Sequence, residues 1–200
     1  MFVMLIANIL GITLFFFFLW KRLKDDYHYE KIFNLGFFVL LGLVIGSVVS
    51  VYFFKEYWFW TDLFIVSVFF VLNIIRQKMK FFETLEALII SLLPWMGFAF
   101  LSDSISKSSL SSFLLFWITL IVVFFFFLLD SQYRKFTWYK SGRVGFAGVV
   151  TGFAFFISRI ILYLIYPKTI SFIPNFEIYL SATFVIVFFL LTYKLFISKE

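Results

Sequence analysis

Arg159 is the residue whose type and place most directly suggest chemistry. It stands inside the apolar run Val144–Tyr166, seven residues before its end, which is roughly 10 Å along a helix. An arginine near a bilayer centre costs about 2.5–3.5 kcal/mol to insert. It is therefore expected to face a polar cavity or a partner, or else to snorkel toward the headgroups. Its planar guanidinium fork suits a phosphate, held through two parallel hydrogen bonds. Four carboxylates are candidate partners by position: Glu56, Asp62, Asp103 and Glu177. Asp62 and Asp103 are also the candidate bases. No carboxylate is read inside a span beside Arg159. With no Cys and a single His, His28, the chain has no thiol nucleophile and no evident ligand set for zinc or haem. No cofactor or metal is expected.

These residues must be positioned by elements that water does not solvate. Hydrophobic residues make up 64% of the chain and charged ones 14%, far from the soluble average. Seven apolar stretches carry this excess: Phe2–Trp20, Ile32–Phe54, Trp58–Ile75, Ala87–Leu101, Phe113–Leu129, Val144–Tyr166 and Ile178–Ile197. Two are short of the ~20 residues that cross a bilayer core, but neutral neighbours extend both. Continuous apolar runs rather than alternation select helices. The expected fold is all-α, a polytopic membrane protein with seven transmembrane helices in one domain, residues 1–200.

Charge orients the bundle. Lys and Arg number four, one, three, one, four and one in the successive gaps, then two at the end. Cationic loops remain on the cytoplasmic side, so the N-terminus is expected outside and the C-terminus inside. The first stretch has no basic leader and reads as a retained helix, not a cleaved signal. The net charge of +6 meets anionic inner-leaflet lipid and does not indicate nucleic acid.

Within the helices, Gly42 with Gly46 and Gly148 with Gly152 form small-xxx-small pairs that admit close helix approach. They make the second and sixth helices candidates for an inner wall. Pro94 is expected to kink the fourth helix. Trp58 and Trp60 read as interface anchors, as do the rings and cations of the loop from Asp130 to Arg143, and Ser102–Ser112 reads as a flexible turn. The Phe runs Phe15–Phe18 and Phe124–Phe127 read as lipid-facing bulk.

Four segments carry a resemblance: Phe18-Leu-Trp-Lys-Arg22, Leu40-Leu-Gly-Leu-Val-Ile-Gly46, Leu92-Leu-Pro-Trp-Met-Gly97 and Gly152-Phe-Ala-Phe-Phe-Ile-Ser-Arg159. In order they resemble the first-helix exit, the Gly-rich second helix, the Pro-containing fourth helix and the late Arg-bearing helix of the prolipoprotein diacylglyceryl transferase family. The resemblance implies seven spans, an outside N-terminus and an inside C-terminus in a bacterial inner (plasma) membrane. It implies transfer of a diacylglyceryl group from phosphatidylglycerol to the lipobox cysteine of a preprolipoprotein. It also implies a phospholipid-binding role for Arg159 in a cavity between the second, fourth and sixth helices. The chain departs from the family at Trp60-Thr61-Asp62, where a His-Gly-Gly is expected. It departs again at Phe100–Ser104 in place of Gly-Arg-x-Gly-Asn, and at Gly46-Ser47-Val48 in place of Gly-x-Arg. A lipid-binding protein without transfer is the reduced form of this expectation. A small transporter or channel subunit, or a structural membrane protein, is the alternative.

Overall fold

A computed structural model describes residues 2–133 and 145–197. Seven long helices follow one another: α1 (Phe2–Leu23), α2 (Tyr29–Phe53), α3 (Trp58–Gln77), α4 (Phe81–Lys107), α5 (Leu110–Gln132), α6 (Phe146–Ile165) and α7 (Glu177–Ile197). A short 3-10 turn, Lys55–Tyr57, joins α2 to α3. All seven are long and apolar enough to cross a membrane.

The helices form because each is an unbroken apolar run, and they pack because small or well-shaped residues recur on one face. In α1 the buried positions are Ala7, Gly11, Phe15, Leu19 and Leu23, a four-residue spacing that makes one stripe. That stripe lies against α4, where Trp95 fills the space left by Gly11. The main pairings are α1 with α4, α2 with α3, α6 with α7, and α4 with α5. Helix α4 is the hub, and more of it is buried than of any other helix. One apolar core joins α1 to α4 through Phe15, Leu35, Val66 and Leu88. A second joins α3, α4, α6 and α7 through Phe59, Leu93, Phe156 and Phe188. Outward-facing side chains such as Phe37, Phe64, Phe124 and Phe189 are apolar too, as expected of helices solvated by lipid.

Both glycine pairs do bring helices close, but not to form a shared wall. Gly42 and Gly46 face Val66, Phe69 and Asp62 on α3. Gly148 faces Glu86 on α4, and Gly152 faces Phe188 on α7. The Phe runs are likewise divided: Phe15 and Phe126 turn into the core while Phe17 and Phe124 stay exposed. Pro94 does not end α4, which runs through it.

The Ser-rich stretch is mostly helical rather than a flexible turn. Only Ser108 and Ser109 separate α4 from α5. Ser108 adopts a left-handed φ of 50° and closes α4, its N–H bonding to the Ser104 carbonyl. Ser109 caps α5 by accepting from the Ser112 N–H at 3.3 Å. The rings and cations expected to anchor the loop from Asp130 to Arg143 fall, from Arg134 onward, outside the described residues.

Candidate functional site

Arg159 lies on α6, six residues before its end, and Glu177 opens α7. The connection between them folds back so that the two side chains meet, both 0% exposed. The Nε and Nη2 of Arg159 donate to Glu177 Oε1 at 3.0 and 2.6 Å. Nη1 donates to Ser171 Oγ at 3.1 Å, and Nη2 also to the Ser171 carbonyl at 2.9 Å. Four of the five guanidinium N–H groups are thus engaged. The cation sits 3.9 Å from the Phe59 ring centroid and 4.9 Å from that of Phe172, within cation–π range.

Glu177 is satisfied on both oxygens. Its Oε1 also accepts from Ser181 Oγ at 3.0 Å, and Oε2 accepts from Trp60 Nε1 at 2.9 Å. Standing in the first turn of α7, it also meets the positive end of the helix dipole. Of the four carboxylates named from sequence, Glu177 is the one that pairs with Arg159. Glu56 is exposed on the 3-10 turn. Asp103 accepts from Ser112 Oγ at 2.5 Å and pairs with Lys107 at 2.8 Å, tying α4 to α5. Asp62 lies in the α2–α3 seam, 3.5 Å from Ser47 Oγ.

The ion pair decides between the two alternatives for Arg159, and one expectation changes. Arg159 does not snorkel, because Glu177 and Ser171 neutralise and hydrogen-bond it in place. A phosphate on Arg159 would have to displace one of them. Trp60 is not an interface anchor but a buried donor to the ion pair, stacked on Phe156. Trp58 meets the same connection from outside, its Nε1 donating to the Ile170 carbonyl at 2.8 Å.

Beside this pair runs an open apolar groove of about 740 Å³, lined by Val49, Tyr57, Trp60, Thr61, Phe64 and Leu180 among others. It lies among α2, the 3-10 turn, α3 and α7, not between α2, α4 and α6. Trp60 belongs to both features, its ring lining the groove and its N–H fixed on Glu177.

At the other end of the bundle stands a second charged cluster that the sequence reading passed over. Arg22, in the last turn of α1, donates to Asp130 on α5 at 3.0 and 2.7 Å and to Glu86 on α4. Glu86 is fully buried and also accepts the Gly148 N–H of α6 at 3.0 Å. Four helices are clamped by three side chains. The carboxylates of Glu86 and Glu177 therefore both lie within helices, contrary to the expectation of a lone Arg. The signal was weak, because Glu86 precedes the apolar run Ala87–Leu101 and reads as loop.

No family model, curated protein or solved structure matches this chain.

Proposed function

We propose that this chain is a multi-pass protein of a bacterial plasma membrane that binds an anionic phospholipid, in the manner of the diacylglyceryl transferases whose segments it resembles. Its N-terminus lies outside and its C-terminus inside. Supporting that sidedness, among the described residues Lys21, Arg22, Lys24, Lys31, Arg76, Lys78, Lys80 and Lys194 lie at one end, and Lys55, Lys107 and Lys168, with the paired Arg159, at the other.

The observation that carries the reading is the groove walled by Trp60. It is open, about 740 Å³ in volume and almost wholly apolar, and it lies at the end of the bundle that carries the α2–α3 turn. Burying an acyl chain there contributes about 0.8 kcal/mol per methylene that leaves water, and less against lipid. The exposed Lys55 and Lys168 lie at that same end, where they complement a phosphate such as that of phosphatidylglycerol. Arg159 serves this site from behind, by fixing Glu177 and through it the Trp60 ring.

Transfer of the diacylglyceryl group to a preprolipoprotein cysteine needs a base to take the thiol proton. The two candidate bases at that end, Asp62 and Asp103, are each held in a helix seam without a hydrogen bond to Arg159. Binding without transfer is therefore the function the geometry supports best.

The test is lipid retention. Purified protein should carry phosphatidylglycerol through detergent extraction, and Thr61→Trp or Leu180→Trp, which fill the groove, should lose it. Equal retention in folded groove-filled variants would overturn the reading. A transfer assay with a lipobox peptide decides the remaining step.

A further inference from the structure

The Asp62 carboxyl lies in the seam between α2 and α3, four residues into α3 and about 6 Å below its outer end. Its Oδ1 is buried without a hydrogen-bond partner. Its Oδ2 has only the Ser47 hydroxyl, at the 3.5 Å limit of a hydrogen bond. Among the described residues no Lys or Arg forms an ion pair with it. The nearest charged residues by sequence, Lys55 and Glu56, are exposed on the 3-10 turn. Tyr52 of α2 is also exposed.

The seam is shaped around this carboxyl. A Cβ on Gly46 would lie 2.5 Å from Asp62 Oδ1 and 3.0 Å from its Cα, so any larger residue would press on the carboxyl and the α3 backbone. Asp62 is half-buried, and a carboxylate with one oxygen desolvated and no counter-charge is disfavoured relative to the neutral acid. A metal ion would need several oxygen ligands, and the seam offers one hydroxyl. With Oδ1 closed to solvent, the ligand that fits is a proton.

We propose that Asp62 is a proton-binding site: the seam holds it as the neutral acid, and loss of that proton drives α2 from α3 at Gly46. The site stands whatever fills the groove.

The test uses the full chain in lipid nanodiscs with dicyclohexylcarbodiimide, which reacts with protonated carboxyls in apolar surroundings. The acid proton passes to a carbodiimide nitrogen, the carboxyl oxygen bonds to the central carbon, and the adduct rearranges to a stable N-acylurea. Peptide mass mapping should find the adduct on Asp62, forming more slowly as pH rises. Asp62→Asn, the neutral isostere, should keep the melting midpoint and remove its fall at alkaline pH. Two results would overturn the proposal. One is no adduct on Asp62 at any pH in a folded chain whose unfolded form reacts. The other is a midpoint lowered by Asp62→Asn at every pH, which would mean that the native form is the charged one.

Discussion

Trp60 donates its indole N–H to Glu177 across 2.9 Å, and the same ring forms a wall of the apolar groove. The contact joins α3 to the first turn of α7, 117 residues away in sequence. Glu177 in turn holds Arg159 of α6. The groove and the buried ion pair are therefore one construction, and a change in either reaches the other through a single aromatic ring.

Removing one member of that pair should be far worse than removing both. Glu177→Met leaves a buried guanidinium unpaired and should cost about 3–5 kcal/mol, whereas replacing Arg159 and Glu177 together by Met should recover most of the loss. Denaturant or thermal unfolding of Glu177→Met, Arg159→Met and the double variant in nanodiscs checks this. Additive losses would mean that the pair is not coupled.

Gly148→Ala should destabilise the cluster at the basic end. The new methyl would meet Glu86 Cα at 2.5 Å, backbone that cannot swing aside, and would push α6 from α4. A cost of about 1–3 kcal/mol is expected for such overpacking. An unchanged melting midpoint would show that α6 can shift freely there.

Sidedness can be read with cysteine, since the chain has none of its own. Lys168→Cys should react with an impermeant thiol reagent in intact cells, and Asp25→Cys only after the membrane is opened. Both positions are exposed. The reverse pattern would invert the topology.

Alkaline pH should loosen the contact between the α1–α2 and α3–α4 connections. Tyr27 donates to Glu83 Oε2 at 2.7 Å and accepts the Lys80 N–H at 2.9 Å. Burial, and then the Glu83 carboxylate, push its hydroxyl from the usual 10 up to about 12, against the Lys80 N–H, which favours the phenolate. The folded chain thus holds this proton more tightly than the unfolded one. Its contribution is complete below about pH 10 and is lost as pH rises through about 12. Tyr27→Phe should remove that part of the pH dependence in an unfolding series. A series identical to wild type would show that Tyr27 makes no contribution.

The sequence by itself determined the helices and their number, because seven long apolar runs without two-residue alternation select helices. It marked Arg159 as exceptional, and it named Glu177 among four possible partners. It placed helix ends less well. α4 extends from Phe81 to Lys107, beyond the apolar run Ala87–Leu101, because Thr84, Glu86 and Asp103 find partners on or beside the helix. Such polar residues read as loop until those partners are known. Tertiary structure alone decided that Glu177 rather than Asp62 or Asp103 meets Arg159. That choice depends on the fold-back of the α6–α7 connection, which brings Ser171 and Trp60 to the same point. It also decided that α2 lies on α3 and α6 on α7. A glycine stripe specifies that a helix can be approached closely, but which neighbour arrives is set by the shapes on the other side.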